Sequence, residues 1–305
     1  MSLRRVFSAL VLAGPVLLGG CATYDLSSPP PAQTAPVAIV YSSDGASGWN
    51  DVPMGTYSVP DSDVVISGHQ GGGNIGMLFG LVGVLAQSAV NSSRGASAVN
   101  PVQDALHIHL TPQAVELTQK ILASGKYGQS FTMTPSADGP TVTVTSYTVV
   151  TFVTDNETRP YVVLKAKLTP GKAGGKAWTA RYIASSGAPA ALAGPGSLTD
   201  NGGALLKADL ARDLDWAVNA MLSDMANPQA RAGGAPVNVE TAVPFIRQRW
   251  SLPGVTIAQD DSKLVFVPHV ADAVVFAGVH IVDKSAVTIH PGAGDDKIRL
   301  LDEAP

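Results

Sequence analysis

Strand-like alternation in the middle of the chain limits its fold more than any other feature. Three segments place apolar residues at every second position: 141–153, 161–169 and 177–185. Successive side chains of a strand point to opposite faces, so Lys165 and Lys167 lie opposite an apolar face that is formed by Val162, Leu164, Ala166 and Leu168. Residues 154–158 supply a hairpin turn between the first two segments. The pattern predicts antiparallel strands with one buried face.

Two helical patterns supply a cover for this buried face. Between Ala204 and Met225, apolar residues recur at steps of three and four, as an amphipathic helix requires: Leu206, Leu210, Leu214, Ala217, Met221 and Met225. Thr111 and Pro112 begin a second helix that ends near Gly125. The predicted fold class of residues 37–226 is therefore α+β, with a small antiparallel sheet covered by amphipathic helices.

The last quarter of the chain has a different pattern. Residues 227–236, NPQARAGGAP, are rich in Gly, Ala and Pro and are typical of a linker. Short apolar runs separated by turn residues follow up to Pro305. We therefore expect a small β-rich C-terminal domain at 237–305.

The N-terminus has the three parts of a secretory signal. Arg4 and Arg5 precede an apolar run, Val6–Leu18, and small residues follow up to Cys21. The sequence LGGC at 18–21 resembles the lipobox of bacterial lipoproteins. The resemblance covers residues 1–22 and implies that residues 1–20 are a signal peptide and that Cys21 carries the lipid. A transmembrane anchor would need about 20 apolar residues, more than this run supplies.

Cys21 is the only cysteine of the chain. A disulfide within the chain and a cysteine-based zinc site are therefore excluded. The residue after it is Ala22, and a lipobox followed by Ala rather than Asp resembles lipoproteins sorted to the outer membrane of Gram-negative bacteria. Several acyl chains anchor a protein stably. The expected location is the outer membrane, with the folded part facing the periplasm.

Charge limits the partners that this chain can bind. Without Arg4 and Arg5 the chain carries 18 basic and 24 acidic side chains, a net charge of −6. This balance argues against a nucleic-acid partner and against electrostatic docking on anionic lipid. Residues 21–36, which are rich in Ser and Pro, are typical of an extended tether. The predicted attachment to the membrane is therefore the covalent lipid at Cys21.

A glycine-rich apolar stretch, GHQGGGNIGMLFGLVGVLAQSAVNSS at 68–93, admits three interpretations. Residues 71–76 satisfy G-x-G-x-x-G, but a dinucleotide fold needs an acidic residue about 20 positions further on, and residues 91–96 contain none. A membrane span is a second interpretation. As a helix, residues 75–90 would extend about 24 Å, against a hydrocarbon thickness of roughly 30 Å. The dinucleotide interpretation fails, and the membrane span is disfavoured.

The third interpretation, which we favour, is a packing helix at 71–91. Gly72, Gly76 and Gly80 would lie along one helix face and let another backbone approach closely. A helix that is apolar all round must be buried. Its partner is the rest of the fold, a second subunit or another apolar partner, and the sequence does not choose between them.

His107 and His109 are the candidate metal ligands. If Leu106–Leu110 is a strand, both imidazoles project to the same face and could bind one zinc ion. A third ligand would come from a carboxylate or from another histidine: His69, His269, His280 or His290. The alternative, which we favour, places both histidines on the polar face of a half-buried strand. We therefore predict no metal and no cofactor.

The sequence is compatible with three functions. The sequence contains no H-E-x-x-H, G-x-S-x-G or S-x-x-K motif. The first prediction is a non-catalytic outer-membrane lipoprotein that serves as an assembly or scaffolding subunit of a cell-envelope complex, with a protein partner or as a homo-oligomer. The alternatives are a periplasmic carrier of lipid or another apolar ligand, in a groove near Met77 and Phe79, and a metal-dependent hydrolase.

Overall fold

A computed structural model describes residues 26–47, 51–53, 55–68, 85–172, 174–269, 274–292 and 297–301. Fourteen strands within these residues form one mixed sheet. In chain order they are β1 (Val37–Ser42), β2 (Tyr57–Ser58), β3 (Val64–Ser67), β4 (Phe131–Thr132), β5 (Thr141–Phe152), β6 (Glu157–Thr169), β7 (Trp178–Ser185), β8 (Ala190–Ala191), β9 (Ala235–Val243), β10 (Ile246–Gln259), β11 (Lys263–Pro268), β12 (Val279–Asp283), β13 (Thr288–Pro291) and β14 (Arg299–Leu300).

Helices occupy the intervals between groups of strands. The α-helices of the described residues are α1 (Leu85–Val99), α2 (Thr111–Ala123) and α3 (Asp200–Ala226). Short 3₁₀ helices span Asn100–Leu106, Pro228–Arg231, Val274–Phe276 and Lys284–Ala286. The main order across the sheet is β13-β9-β10-β11-β12-β7-β6-β5-β1-β4.

The centre of the sheet is the antiparallel ladder β5-β6-β7, which confirms the prediction from alternation. Val162, Leu164, Ala166 and Leu168 of β6 belong to the main core cluster. Five of the six predicted apolar residues of α3 are buried in the same cluster, and Met225 packs against it. The helix predicted at 204–225 therefore covers the predicted sheet face.

Two parallel pairings enlarge the sheet beyond this ladder. β1 and β3 pair in succession with one edge of β5, Ala38 opposite Thr141 and Val64 opposite Thr148. β12 pairs in parallel with β7, Val279 opposite Tyr182. Parallel neighbours need long crossover connections, and α1 and α2 lie in the connection that leads to β5.

The predicted fold class is wrong in its size, its strand direction and its division. The sheet is large and mixed, and it is not a small antiparallel sheet followed by a separate β-rich domain. The strands β9 to β13 continue the sheet because β12 joins β7. Hydrophobic periodicity gives each strand but not its partner, so it did not show this long-range pairing. The predicted domain boundaries themselves stay a prediction.

Buried clusters lie on both faces of the sheet. The main cluster lies under α3, and a second one contains Leu26, Trp250, Phe266 and Phe276. A third contains Tyr147, Tyr161 and Phe245. His280 is buried within hydrogen-bonding distance of the Phe276 carbonyl, Nε2 to O 2.9 Å. Burial lowers the pKa of His280 to about 4, so the ring is neutral at pH 7.

The predicted strand at 106–110 is not a strand. Leu106 ends a 3₁₀ helix, and residues 107–110 follow without a ladder partner. Their burial still alternates, because Leu106, Ile108 and Leu110 point into the core. Ser62 takes the place of a neighbouring strand: its hydroxyl donates to the Leu106 and Ile108 carbonyls at 2.6 and 3.2 Å.

Only the end of the glycine-rich stretch is described. α1 begins at Leu85 and extends past the predicted end of the packing helix at residue 91. Gly95 of α1 packs closely on β2, since a Cβ there would lie 2.8 Å from the Tyr57 Cβ. Of the helices in the part of the chain described, none is both long enough and apolar enough to cross a bilayer.

The β7–β12 junction can be tested with one core substitution. Ile281 of β12 is fully buried in the main cluster, so Ile281→Ala should lower the free energy of unfolding by about 2–5 kcal/mol. Hydrogen exchange should accelerate in β7 as well as in β12. The matched control is Ile289→Ala on edge strand β13, which is expected to leave exchange in β7 unchanged. Acceleration confined to β12 would contradict the shared sheet.

Candidate functional site

Several predicted site residues lie outside the described residues. These are the lipid-attachment residue Cys21 and the packing glycines Gly72, Gly76 and Gly80, together with Met77 and Phe79. His107 and His109 are described, and both are exposed. His109 Nδ1 lies 3.8 Å from Asp63 Oδ1. Among the residues described, no group of three or more His, Cys, Asp or Glu side chains could hold a metal ion.

One end of the sheet gathers segments that are far apart in the sequence. Because β1, β5 and β7 begin there and β6 ends there, we call it the basal end. The β6–β7 hairpin and the C-terminal end of α3 also lie at this end, as the contacts of Trp178 and Asp224 described below show. The opposite end, with the turn between β5 and β6, is the distal end.

Residues 26–28 are held at the basal end. Leu26 is 3% exposed and belongs to the second core cluster. The Ser28 carbonyl accepts a hydrogen bond from Trp178 Nε1 at 3.0 Å. The Gly278 N–H donates to the Ser27 hydroxyl at 3.3 Å. These contacts fix the chain a few residues after the predicted lipobox, where the sequence predicted an extended tether.

A buried ion pair also holds residues 26–28. Arg231 and Asp224 have side chains that are 4% and 1% exposed, and they form two hydrogen bonds, Nε to Oδ1 at 2.8 Å and Nη2 to Oδ2 at 2.6 Å. Arg231 Nη1 donates to the Ser27 carbonyl at 2.5 Å and to the Ser28 carbonyl at 2.7 Å. The fork of the guanidinium therefore joins the end of α3 to the N-terminal segment.

Tyr182 adds a third hydrogen bond to the same carboxylate. Its hydroxyl donates to Asp224 Oδ2 at 2.6 Å. Burial, and then the charge of Asp224, raise the pKa of the phenol well above its usual value, so it keeps its proton. Burial acts against the charge of Arg231, but the hydrogen bonds and charge of Asp224 outweigh it and raise the pKa of Arg231. The group of Arg231, Asp224, Tyr182, Ser27 and Ser28 is called the basal clamp below.

Sequence reasoning missed the basal clamp. Arg231 lies in the stretch that was predicted to be a linker, and Ser27 and Ser28 contribute backbone carbonyls, which leave no pattern in a sequence. Asp224 lies next to Met225, the last apolar residue of the predicted helix. The one available signal was the pairing of a charged helix end with a lone arginine in an otherwise uncharged Gly/Ala/Pro-rich segment.

A second polar cluster lies where β7 ends. Asp209 and Asp213, one turn apart on α3, lie near Ser186. Arg212 donates to Ser186 Oγ at 2.6 Å and to Asp209 Oδ1 at 2.5 Å. Gly187 approaches so closely that a Cβ there would lie 2.7 Å from Asp209 Oδ2. Burial raises the pKa of Asp209 against the opposing effect of Arg212.

Asp213 is the most perturbed carboxyl of this cluster. It has no exposed surface, and its carboxylate oxygens make no well-formed hydrogen bond to any described residue, although Ser186 lies close enough to affect them. Burial raises its pKa to about 7, and the nearby Ser186, whose hydroxyl already accepts from Arg212, offsets this only in part. A pKa near 7 suits proton transfer, but an enclosed carboxyl cannot touch a substrate in this conformation. We therefore interpret the cluster as a buried polar network of the fold.

Comparison with known proteins adds no relative to these observations. No family model, curated protein or solved structure matches the chain.

The contacts of the basal clamp predict that Arg231→Met lowers the free energy of unfolding strongly. Removal of one partner leaves a buried charge uncompensated, which costs about 3–5 kcal/mol, and thermolysin should then cleave beside Leu26. Arg231→Met combined with Asp224→Asn removes the unpaired charge, keeps an acceptor for Tyr182 and should recover part of the loss. The control is Arg247→Met, because Arg247 pairs with the exposed Asp155 and such pairs contribute about 1 kcal/mol or less. Equal urea-unfolding free energies for the two arginine variants would refute the clamp.

The raised pKa of Asp213 predicts that the stability of the fold depends on pH. Its folded-state pKa of about 7 lies above the unfolded value of 3.8, so its stabilising contribution is complete below pH 4 and is lost as the pH rises through 7. Asp213→Asn should therefore become more stable than the wild-type chain with rising pH, by up to about 4 kcal/mol at pH 8. The control is Asp215→Asn, which removes an exposed carboxylate from the same helix. His280 contributes the opposite slope in every variant and cancels in the difference. Urea titrations from pH 4 to 8 that show the same profile for both variants would refute the assignment.

Proposed function

We propose that this chain is a non-catalytic lipoprotein, anchored through Cys21 in the outer membrane, facing the periplasm and serving as a scaffolding subunit of an envelope complex. The observation that supports it most directly is the basal clamp, which fixes residues 26–28 just after the lipobox-like sequence. A clamp at this position is useful to a protein that must hold its anchor against the folded part.

The distance between the anchor and the fold is short under this proposal. Leu26 lies five positions after Cys21, and a fully extended chain spans at most about 3.6 Å per residue, or roughly 18 Å. A free tether through residue 36 would reach further. The clamp therefore holds the basal end next to the bilayer.

The scaffolding part of the proposal depends on the edges of the sheet. β13 lies at one end of the strand order and β4 at the other. β13 is short, largely exposed and contains Pro291, features that limit indiscriminate pairing of an edge. Edge strands can accept a partner strand through backbone hydrogen bonds. We therefore propose that a partner protein binds an edge strand of the sheet and not one of its covered faces.

The first experiment is the mass of the protein, extracted gently from native membranes, with mass spectrometry of what accompanies it. We expect a diacylglyceryl-modified Cys21 as the first residue and a defined oligomer or a reproducible protein partner. In the Cys21→Ser chain the lipid should be absent. Unmodified Cys21 in the wild-type chain would contradict the anchor. A monomer carrying an apolar ligand would favour the carrier, and stoichiometric zinc that is lost in His107→Ala would favour the hydrolase.

A further inference from the structure

We propose that the β6–β7 hairpin docks the protein on anionic phospholipid headgroups through Lys167, Lys172 and Lys176, the hairpin lysines. This inference rests on the proposed anchor at Cys21 and goes beyond it, because it names the face that meets the bilayer and the lipid chemistry that this face recognises. All three side chains are exposed. Lys165, by contrast, is half-buried and paired with Asp51 at 2.7 Å.

The hairpin lies beside the point where the anchored segment enters the fold. Trp178, the first residue of β7, donates its indole N–H to Ser28. Backbone contacts hold the hairpin itself in place, since the Lys172 N–H donates to the Asp138 carbonyl at 2.9 Å. A Cβ on Gly171 would lie 2.4 Å from the same carbonyl oxygen. The backbone at Lys172 therefore has a fixed position at the basal end.

Charge at the basal end differs in sign from charge in the rest of the chain. Among the described residues, four segments meet there: 26–36, 133–140, 170–178 without residue 173, and 228–236. Asp138 is the one acidic residue in their sequence, and it pairs with Lys172 through exposed side chains, Nζ to Oδ1 2.5 Å. The hairpin lysines and Asp138 together carry +2. The sequence without residues 1–20 carries −6, so the rest of it carries −8.

The negative net charge led us to expect no docking on anionic lipid. That expectation took the charge of the whole chain as decisive, whereas the structure shows a local excess of basic side chains at the basal end. Interactions between exposed charges fade over a Debye length of about 10 Å, so local charge matters more than the total. A lipid at Cys21 would hold the basal end within roughly 18 Å of the bilayer. Tethering also makes the second contact intramolecular, so weak electrostatic attraction suffices.

The expected strength is modest for each lysine. A basic side chain close to an anionic membrane surface strengthens binding by about fivefold. Three such residues would bind an untethered acidic protein weakly. With the lipid in place they instead determine which side of the protein faces the membrane.

Amine footprinting of the full, lipid-modified chain tests the proposal. The protein is reconstituted into neutral phosphatidylcholine vesicles or into vesicles that also contain phosphatidylglycerol, and acetylation of each lysine is followed by mass spectrometry. We expect acetylation of the hairpin lysines to be at least about fivefold slower on the anionic vesicles than on the neutral ones. Lys207, which is exposed on the N-terminal half of α3, is the internal control and should react equally on both.

Matched variants separate docking from simple exposure. Lys172→Glu with Lys176→Glu should abolish the protection of Lys167, whereas Lys207→Glu should leave it intact. Equal acetylation rates on the two kinds of vesicle would overturn the proposal, as would protection by a soluble acidic polysaccharide but not by vesicles. The same spectra report the state of Cys21. An unmodified Cys21 contradicts the anchor and the tethered docking with it, whereas a modified Cys21 with equal acetylation rates on the two vesicles contradicts the docking alone.

Discussion

A buried guanidinium must find its acceptors inside the protein, and the basal end of this fold is arranged around that requirement. Arg231 is almost fully buried, so an unpaired charge there would be very costly. Asp224 supplies two acceptor oxygens from α3, and Ser27 and Ser28 supply two carbonyls from a segment about 200 residues away. Tyr182 of β7 donates to the same carboxylate. One charged group thus links a helix end, the central sheet and the N-terminal segment.

Local periodicity was sufficient to predict the centre of the fold. The strands β5, β6 and β7 and the helix α3 each repeat with a clear period, and each buries the predicted face. Periodicity was not sufficient for the parallel pairings. A half-buried strand shows the same alternation whether its neighbour is the next strand along the chain or one that is 100 residues distant. The runs after residue 237 were therefore compatible both with a separate domain and with a continued sheet, and only the pairing of β12 with β7 decides between them.

The site was harder to predict than the fold, for a physical reason. Two of its groups are backbone carbonyls, which every residue has, and its central arginine lies among residues typical of linkers. Leu106–Leu110 shows the converse case, because the alternation predicted burial correctly and hydrogen bonding wrongly. Ser62 and Asp63 satisfy the backbone there, through the Ser62 hydroxyl and through the N–H and carboxylate of Asp63. Periodicity therefore reports which side chains are buried, whereas the polar partners of a segment depend on the three-dimensional arrangement.

The basal clamp would restrict the orientation of the anchored protein on the membrane. A lipid on a free tether leaves a protein free to rotate, whereas a lipid five residues from a clamped segment leaves it few orientations. β6 runs from the distal end to the basal end over 13 residues, about 40 Å at the rise of a strand. With the basal end at the bilayer, the turn between β5 and β6 would lie farthest from it. Partners in the periplasm would then meet the distal end or the sheet edges. The hairpin lysines would then face the lipid headgroups, with Lys172 beside its partner Asp138.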